Sequence, residues 1–256
     1  MGFRPLEIKD LLDGIEVDNI SIGGSNMTAV EEIVNMAYEN MPREEWPRTT
    51  FALGIFYQLF VPDASMFHNG VTALEDQGLT LGRYERDSTG AHPTIPDRWR
   101  PAFSYSMRPL LFSRWLKDVF LHPRRDYNTF TLTSEMRKEE LDHERTVAGR
   151  YEESFPLQFT KLDHMARMIS SRGGRLVLME LPVPSWIQAG VPACSFYRAE
   201  EDRQIRELLK IPGVTYGSMA EGFSDDEFYD QFHPRPRTTV RWARKAAAII
   251  REGSAR

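Results

Sequence analysis

Apolar residues along the chain follow two periods. Ile15, Val17, Ile20 and Ile22 form a β-rich run, and Phe51-Ala52-Leu53-Gly54-Ile55-Phe56-Tyr57 forms a continuous apolar one. Arg175-Leu176-Val177-Leu178-Met179-Glu180-Leu181 is a third such run, and Val214-Thr215-Tyr216 a short fourth. Each has the length and β-branched or aromatic content of a buried strand. Helical spacing fills the intervals. Residues 5–13 carry Leu6, Leu11 and Leu12 and stop at Gly14. Val30, Ile33, Val34, Ala37 and Met41 line one face of a helix, and Thr28-Ala29-Val30-Glu31 fits a capping box that starts it at about Ala29. Residues 134–148 are highly charged and predict an exposed helix. Leu157, Leu162, Met165 and Ile169 make 156–171 amphipathic up to Gly173-Gly174. Further helices are expected over about 197–210 and after Pro236, where Val240, Trp242, Ala243, Ala246, Ala247 and Ile250 recur. Helices alternating with apolar strands predict an α/β fold, a three-layer sandwich whose central, mostly parallel sheet is covered on both faces.

One stretch breaks the pattern. Residues 62–130 hold Pro62, Pro93, Pro96, Pro101, Pro109 and Pro123, with Gly70, Gly78, Gly82 and Gly90 between them. A long irregular insertion into a single domain spanning 1–256 is the expectation, serving as a lid or a substrate-binding surface. Within it Leu110-Leu111-Phe112-Ser113-Arg114-Trp115-Leu116 predicts a helix, either core or an apolar patch facing a membrane or partner. Arg108, Arg114, Arg124 and Arg125 read first as a solvated face and second as an anion-binding surface.

Composition narrows the function classes. A formal net charge of -5 over 256 residues argues against nucleic acid as the main partner. A single cysteine, Cys194, excludes an intrachain disulfide. Residues 1–16 include Arg4, Glu7, Lys9, Asp10, Asp13 and Glu16, so they are neither signal peptide nor anchor. Two expectations stand: a cytoplasmic chain, or the soluble part of an exported or membrane-anchored protein with a membrane-associated partner.

The candidate chemistry lies at the two ends. Asp18-Asn19-Ile20-Ser21-Ile22-Gly23-Gly24-Ser25-Asn26-Met27 reads as a strand running into a glycine-rich turn and then a helix. Ser25 therefore falls at the strand's C-terminal end, the edge where open α/β sheets bind ligands. Near the C-terminus, Asp230 and His233 stand three residues apart on one predicted loop ahead of Pro234. A serine hydroxyl becomes a nucleophile when an imidazole takes its proton and a carboxylate orients the imidazole. Ser25, His233 and Asp230 supply those parts. His143 and His164, beside Asp142 and Asp163, read as solvated helix positions. His68, His92 and His122 read as loop residues. No metal-ligand spacing, Walker loop or dinucleotide fingerprint is present.

The turn Ile22-Gly23-Gly24-Ser25-Asn26 and the block Phe228-Tyr229-Asp230-Gln231-Phe232-His233 resemble the SGNH, or GDSL-like, hydrolase superfamily. They look most like its divergent branch that includes proteins of teichoic-acid D-alanylation and polysaccharide O-acetylation. The resemblance implies an SGNH/flavodoxin-like sheet and a serine O-acyl esterase or acyltransferase without cofactor. Its substrate would be an acylated carbohydrate or envelope polymer, and its location extracytoplasmic. In that family a separate glycine and the asparagine of a Gly-x-Asn-Asp block complete the oxyanion site. Here Gly54 stands where that block's glycine would fall, and Phe56 takes the asparagine's place. The oxyanion site would then rest on the backbone at Ser25 and Asn26, with Gly54 or Gln58 as helper. One such donor is worth about 2.7–4 kcal/mol in the transition state. A weak esterase, a transferase with another pocket, and an inactive binding or assembly module all fit its loss.

Overall fold

The computed structural model describes residues 8, 10–12, 15, 17, 26–61, 84–87, 90–93 and 126–255. Three parallel strands form the sheet: β1 (Thr50–Ile55), β4 (Arg175–Glu180) and β5 (Val214–Ser218), in the order β1-β4-β5. A separate antiparallel hairpin joins β2 (Tyr84–Asp87) to β3 (Gly90–Pro93). The helices are α1 (Met27–Glu39), α2 (Ser134–Ala148), α3 (Tyr151–Ser171), α4 (Ser185–Gly190), α5 (Pro192–Leu208) and α6 (Thr239–Ala255).

The central strand sorts its side chains by the two-residue period of a strand. Leu176 and Leu178 join one core cluster with Val34 and Tyr38 of α1, Leu162, Met165 and Ile169 of α3, and Ile205 and Leu208 of α5. Val177 and Met179 point the other way, into a second cluster with Trp242, Ala246 and Ala247 of α6 and with Ile8 and Leu12. Helices therefore cover both faces, as the continuous apolar run in β4 requires. α6 comes close to the sheet at Gly253, where a Cβ would sit 2.4 Å from Thr215 Oγ1 and 2.8 Å from Val177. Gly173, at φ 78°, ends α3 just before β4.

Several expectations need adjusting. α1 begins at Met27, capped by Asn26, whose side chain accepts the Ala29 N–H at 3.2 Å. Thr28 and Glu31, read as a capping box, turn instead to α3. Gln158 accepts the Thr28 N–H at 3.2 Å, and buried Glu31 pairs with Lys161 at 3.0 Å and with His164. The expected first strand does not include Ile15 or Val17, and Ile15 is exposed. Its remainder, 18–25, lies outside the described residues. α2 is mostly exposed as expected, except that Glu144 and Ala148 are buried. The helix expected over 197–210 begins earlier, at Pro192. Of the insertion, only the β2–β3 hairpin and 126–130 are described. The helix expected at 110–116, Arg108, Arg114, Arg124, Arg125, His68 and His122 lie outside the described residues. No described helix is long and apolar enough to cross a membrane.

Because the three strands are parallel, Ile55, Glu180 and Ser218 end on one edge of the sheet. α1 runs against β1. At its far end the Tyr38 ring lies 5.2 Å from that of Phe51, at the start of β1. At its near end Thr28 is bonded to Gln158 of α3. That part of α3 packs on the short turn Tyr57–Phe60 just past β1: Phe159 stacks on Phe60 at 4.1 Å, and Ser154 Oγ donates to the Phe60 carbonyl at 2.8 Å. The N-terminus of α1 therefore lies at the C-terminal edge of the sheet.

Candidate active site

The loop from Phe228 to Arg235 attaches to that same edge. Phe228 and Pro234 bridge its two limbs, and the Tyr229 N–H donates to the His233 carbonyl at 3.1 Å. Inside it, Asp230 Oδ1 accepts the N–H groups of Phe232 and His233 at 2.8 and 2.7 Å. The aspartate thus fixes the turn with one oxygen and leaves the other for the imidazole. His233 Nδ1 stands 2.7 Å from Asp230 Oδ2. Phe232 is the anchor, buried with its ring 5.6 Å from Phe56 and 6.1 Å from Tyr57, both just past the end of β1. Arg235 pins the other limb. Its buried guanidinium donates from Nε to the Asp226 carbonyl at 2.6 Å and from Nη1 to the Tyr127 and Asn128 carbonyls at 3.0 Å.

The expected Asp–His pair is therefore formed, and its geometry sets the tautomer. A carboxylate against Nδ1 favours the proton there, which leaves the lone pair on Nε2. The His233 side chain is 47 % exposed, while that of Asp230 is 21 % exposed. Burial alone would raise the Asp230 carboxyl; the His233 ring and the two backbone N–H groups outweigh it and hold it below its ordinary value. Tyr229 covers one face of the imidazole, nearly parallel at 12° and 5.6 Å between centroids, and Tyr127 packs on Tyr229 at 4.5 Å. Burial, then Asp230 and Tyr127, push the Tyr229 hydroxyl up to about 12.

The other candidates are placed as follows. Ser25 lies outside the described residues, and Asn26 is the buried cap where α1 begins. Gly54 is paired with Met179 inside the sheet, and a Cβ there would come 2.8 Å from Leu181 Cδ1. The Gln58 amide donates to Glu144 Oε2 at 2.8 Å, which ties it to α2. Phe56 supports Phe232 instead of offering a donor. His143 and His164 are exposed on their helices, His164 paired to Glu31. Among the described residues no group of three or more His, Cys, Asp or Glu could hold a metal.

Two features escaped the sequence reading. Glu180, the one acidic residue of β4, is buried at the C-terminal edge of the sheet. It accepts from Tyr216 Oη at 2.9 Å and Ser218 Oγ at 2.6 Å and pairs with Arg198. A charge closing an otherwise apolar strand was the available signal. Beside it is a void of about 10 Å³, room for about one water, lined by Tyr57, Glu180, Cys194, Tyr197 and Arg198 among others. Burial, then Glu144, push the Cys194 thiol up to about 12. The second feature is a cleft of about 290 Å³ beside the Asp–His pair, with Trp186, Tyr229 and Asp230 in its wall. No family model, curated protein or solved structure matches the chain.

Proposed function

We propose that the protein is a serine-dependent O-acyl esterase or acyltransferase of SGNH-like, flavodoxin-like architecture, working through Ser25, His233 and Asp230. One observation carries the reading. The oriented, open imidazole of His233 sits at the sheet edge where α1 begins, and α1 begins two residues after Ser25. A chain that placed the two at opposite ends of the sheet would have no such use for either.

In this reading the Ser25 hydroxyl attacks an acyl carbonyl while His233 Nε2 takes its proton. Asp230 stabilises the imidazolium, and the proton passes to the departing alcohol. Water then frees the enzyme in hydrolysis; a sugar hydroxyl does so in transfer. The substrate is an acylated carbohydrate or envelope polymer, which suits an extracytoplasmic site. Backbone N–H groups at the start of α1 are the natural oxyanion donors, favoured by the helix dipole. Phe56, where the family's asparagine would stand, favours a second reading, a binding or assembly module without turnover.

Turnover of an aryl acetate separates them. The enzyme reading expects activity that Ser25→Ala and His233→Ala each abolish in a protein that remains folded. The double variant should be little worse than either single one, since members of one catalytic unit are not additive. Activity that survives Ser25→Ala removes the nucleophile assignment.

A further inference from the structure

One hydrogen bond does not orient a ring. The contact between His233 Nδ1 and Asp230 Oδ2 fixes one atom of the imidazole and leaves the ring free to pivot about it. A general base has to be held within roughly 10–20° of its working direction. The His233 side chain is half-exposed, so the core alone does not hold it. Tyr229 is placed to do so. Phe228 and Pro234 bridge the two limbs of the loop, and the Tyr229 N–H donates to the His233 carbonyl at 3.1 Å, so the two residues stand opposite each other. Their rings lie 12° from parallel, with centroids 5.6 Å apart. Burial pushes the Tyr229 hydroxyl up to about 12, so what it offers the imidazole is the face of a neutral ring.

The Tyr229 ring is backed in turn. Tyr127 packs on it at 4.5 Å, tilted by 39°. Tyr127 belongs to a turn far away in sequence, and that turn is fixed twice. Asp126 closes it, accepting the Asn128 N–H at 3.0 Å and the Thr129 hydroxyl at 2.9 Å. Buried Arg235 then ties it to the Asp–His loop, donating from Nη1 to the Tyr127 and Asn128 carbonyls at 3.0 Å, while Asn128 Oδ1 accepts the Arg237 N–H at 2.9 Å. We propose that Tyr229 is a positioning residue for His233: its ring, backed by Tyr127, holds the imidazole in the orientation in which Nδ1 meets Asp230 and Nε2 is left to take the serine proton. A ring that swings off Asp230 loses the partner that favours the Nδ1 proton, and the other tautomer gains. The effect on turnover rests on the acyl-transfer reading; the orientation of the ring does not.

The test reads the His233 tautomer in the full chain, by two-bond nitrogen–proton NMR of the neutral imidazole, with aryl acetate kinetics on the same samples. The wild type should carry the proton mainly on Nδ1. Tyr229→Leu should lower the ratio of Nδ1–H to Nε2–H about tenfold and kcat by a like factor, the upper end of what one aromatic stack contributes, with KM unchanged within about twofold. Tyr229→Phe, which keeps the ring, should match the wild type in both. Tyr127→Ala, a change at a ring 43 % exposed, should move the ratio the same way by about threefold, and it carries the test should Tyr229→Leu fail to fold. A folded Tyr229→Leu or Tyr127→Ala with the wild-type tautomer ratio overturns the assignment, whatever the turnover shows, and so does a Tyr229→Phe that behaves like Tyr229→Leu. A ratio that shifts as stated in a protein without Ser25-dependent turnover keeps the positioning role and removes the acyl-transfer reading.

Discussion

The ring of Phe232 lies 5.6 Å from that of Phe56, and this contact fastens the loop carrying Asp230 and His233 to the end of β1. The loop thus hangs on a hydrophobic anchor two residues from its aspartate. Phe232→Ala should cost about 3 kcal/mol of stability, the low end for a buried phenylalanine at a sheet edge. It should also lower turnover about 10²-fold, because a loop shifted by roughly 1 Å misplaces the base. Phe232→Leu should recover most of both. Urea unfolding and aryl acetate kinetics on the same samples check this.

Asp230→Asn should leave a folded protein with about 10⁴-fold less turnover, the effect of the wrong imidazole tautomer in a serine-protease triad. The Asp230 carboxyl is held below its ordinary value in the folded state. Its contribution to stability is therefore present above the ordinary carboxylate range and lost as pH falls through the lowered value. Histidine ring resonances followed by NMR on acid titration should show the His233 environment changing there, and Asp230→Asn should abolish that step.

The core was legible in the sequence where periodicity was unbroken. β1, β4 and β5 fall on the three apolar runs from 51, 175 and 214, α2 and α6 match their predicted stretches closely, and α3 ends where predicted but begins earlier, at Tyr151. The Asp230–His233 pair was legible too, because three residues on one loop bring a carboxylate and an imidazole together without help from the fold. The capping box at Thr28 misled because Asn26 competes for the same role, and tertiary partners on α3 claimed Thr28 and Glu31. Glu180, Trp186 and the cleft were hidden, since their neighbours Arg198, Arg137 and Asp225 come from distant segments.

Glu144 tests the packing of α2 on the turn past β1. Its buried carboxylate accepts from Tyr57 Oη and Gln58 Nε2, each at 2.8 Å. Burial raises the carboxyl above its ordinary value despite those two donors. Stability contributed by the protonated form is present below the ordinary carboxylate range and is lost as pH rises through the raised value. Glu144→Gln keeps an acceptor for Tyr57 and cannot ionise. It should remove that part of the pH slope, so the variant gains on the wild type as pH rises. Urea midpoints of both proteins between pH 4 and 8, taken as a difference, measure it.

The central claim is that His233 activates Ser25, and a fluorophosphonate probe tests it most directly. The probe phosphonylates a serine only when a base withdraws its proton. After labelling, digestion and mass spectrometry, the account predicts one modified residue, Ser25, with labelling lost in His233→Ala and strongly slowed in Asp230→Asn. Labelling of wild-type Ser25 that persists unchanged in His233→Ala, or no labelling of Ser25 at all, would contradict it.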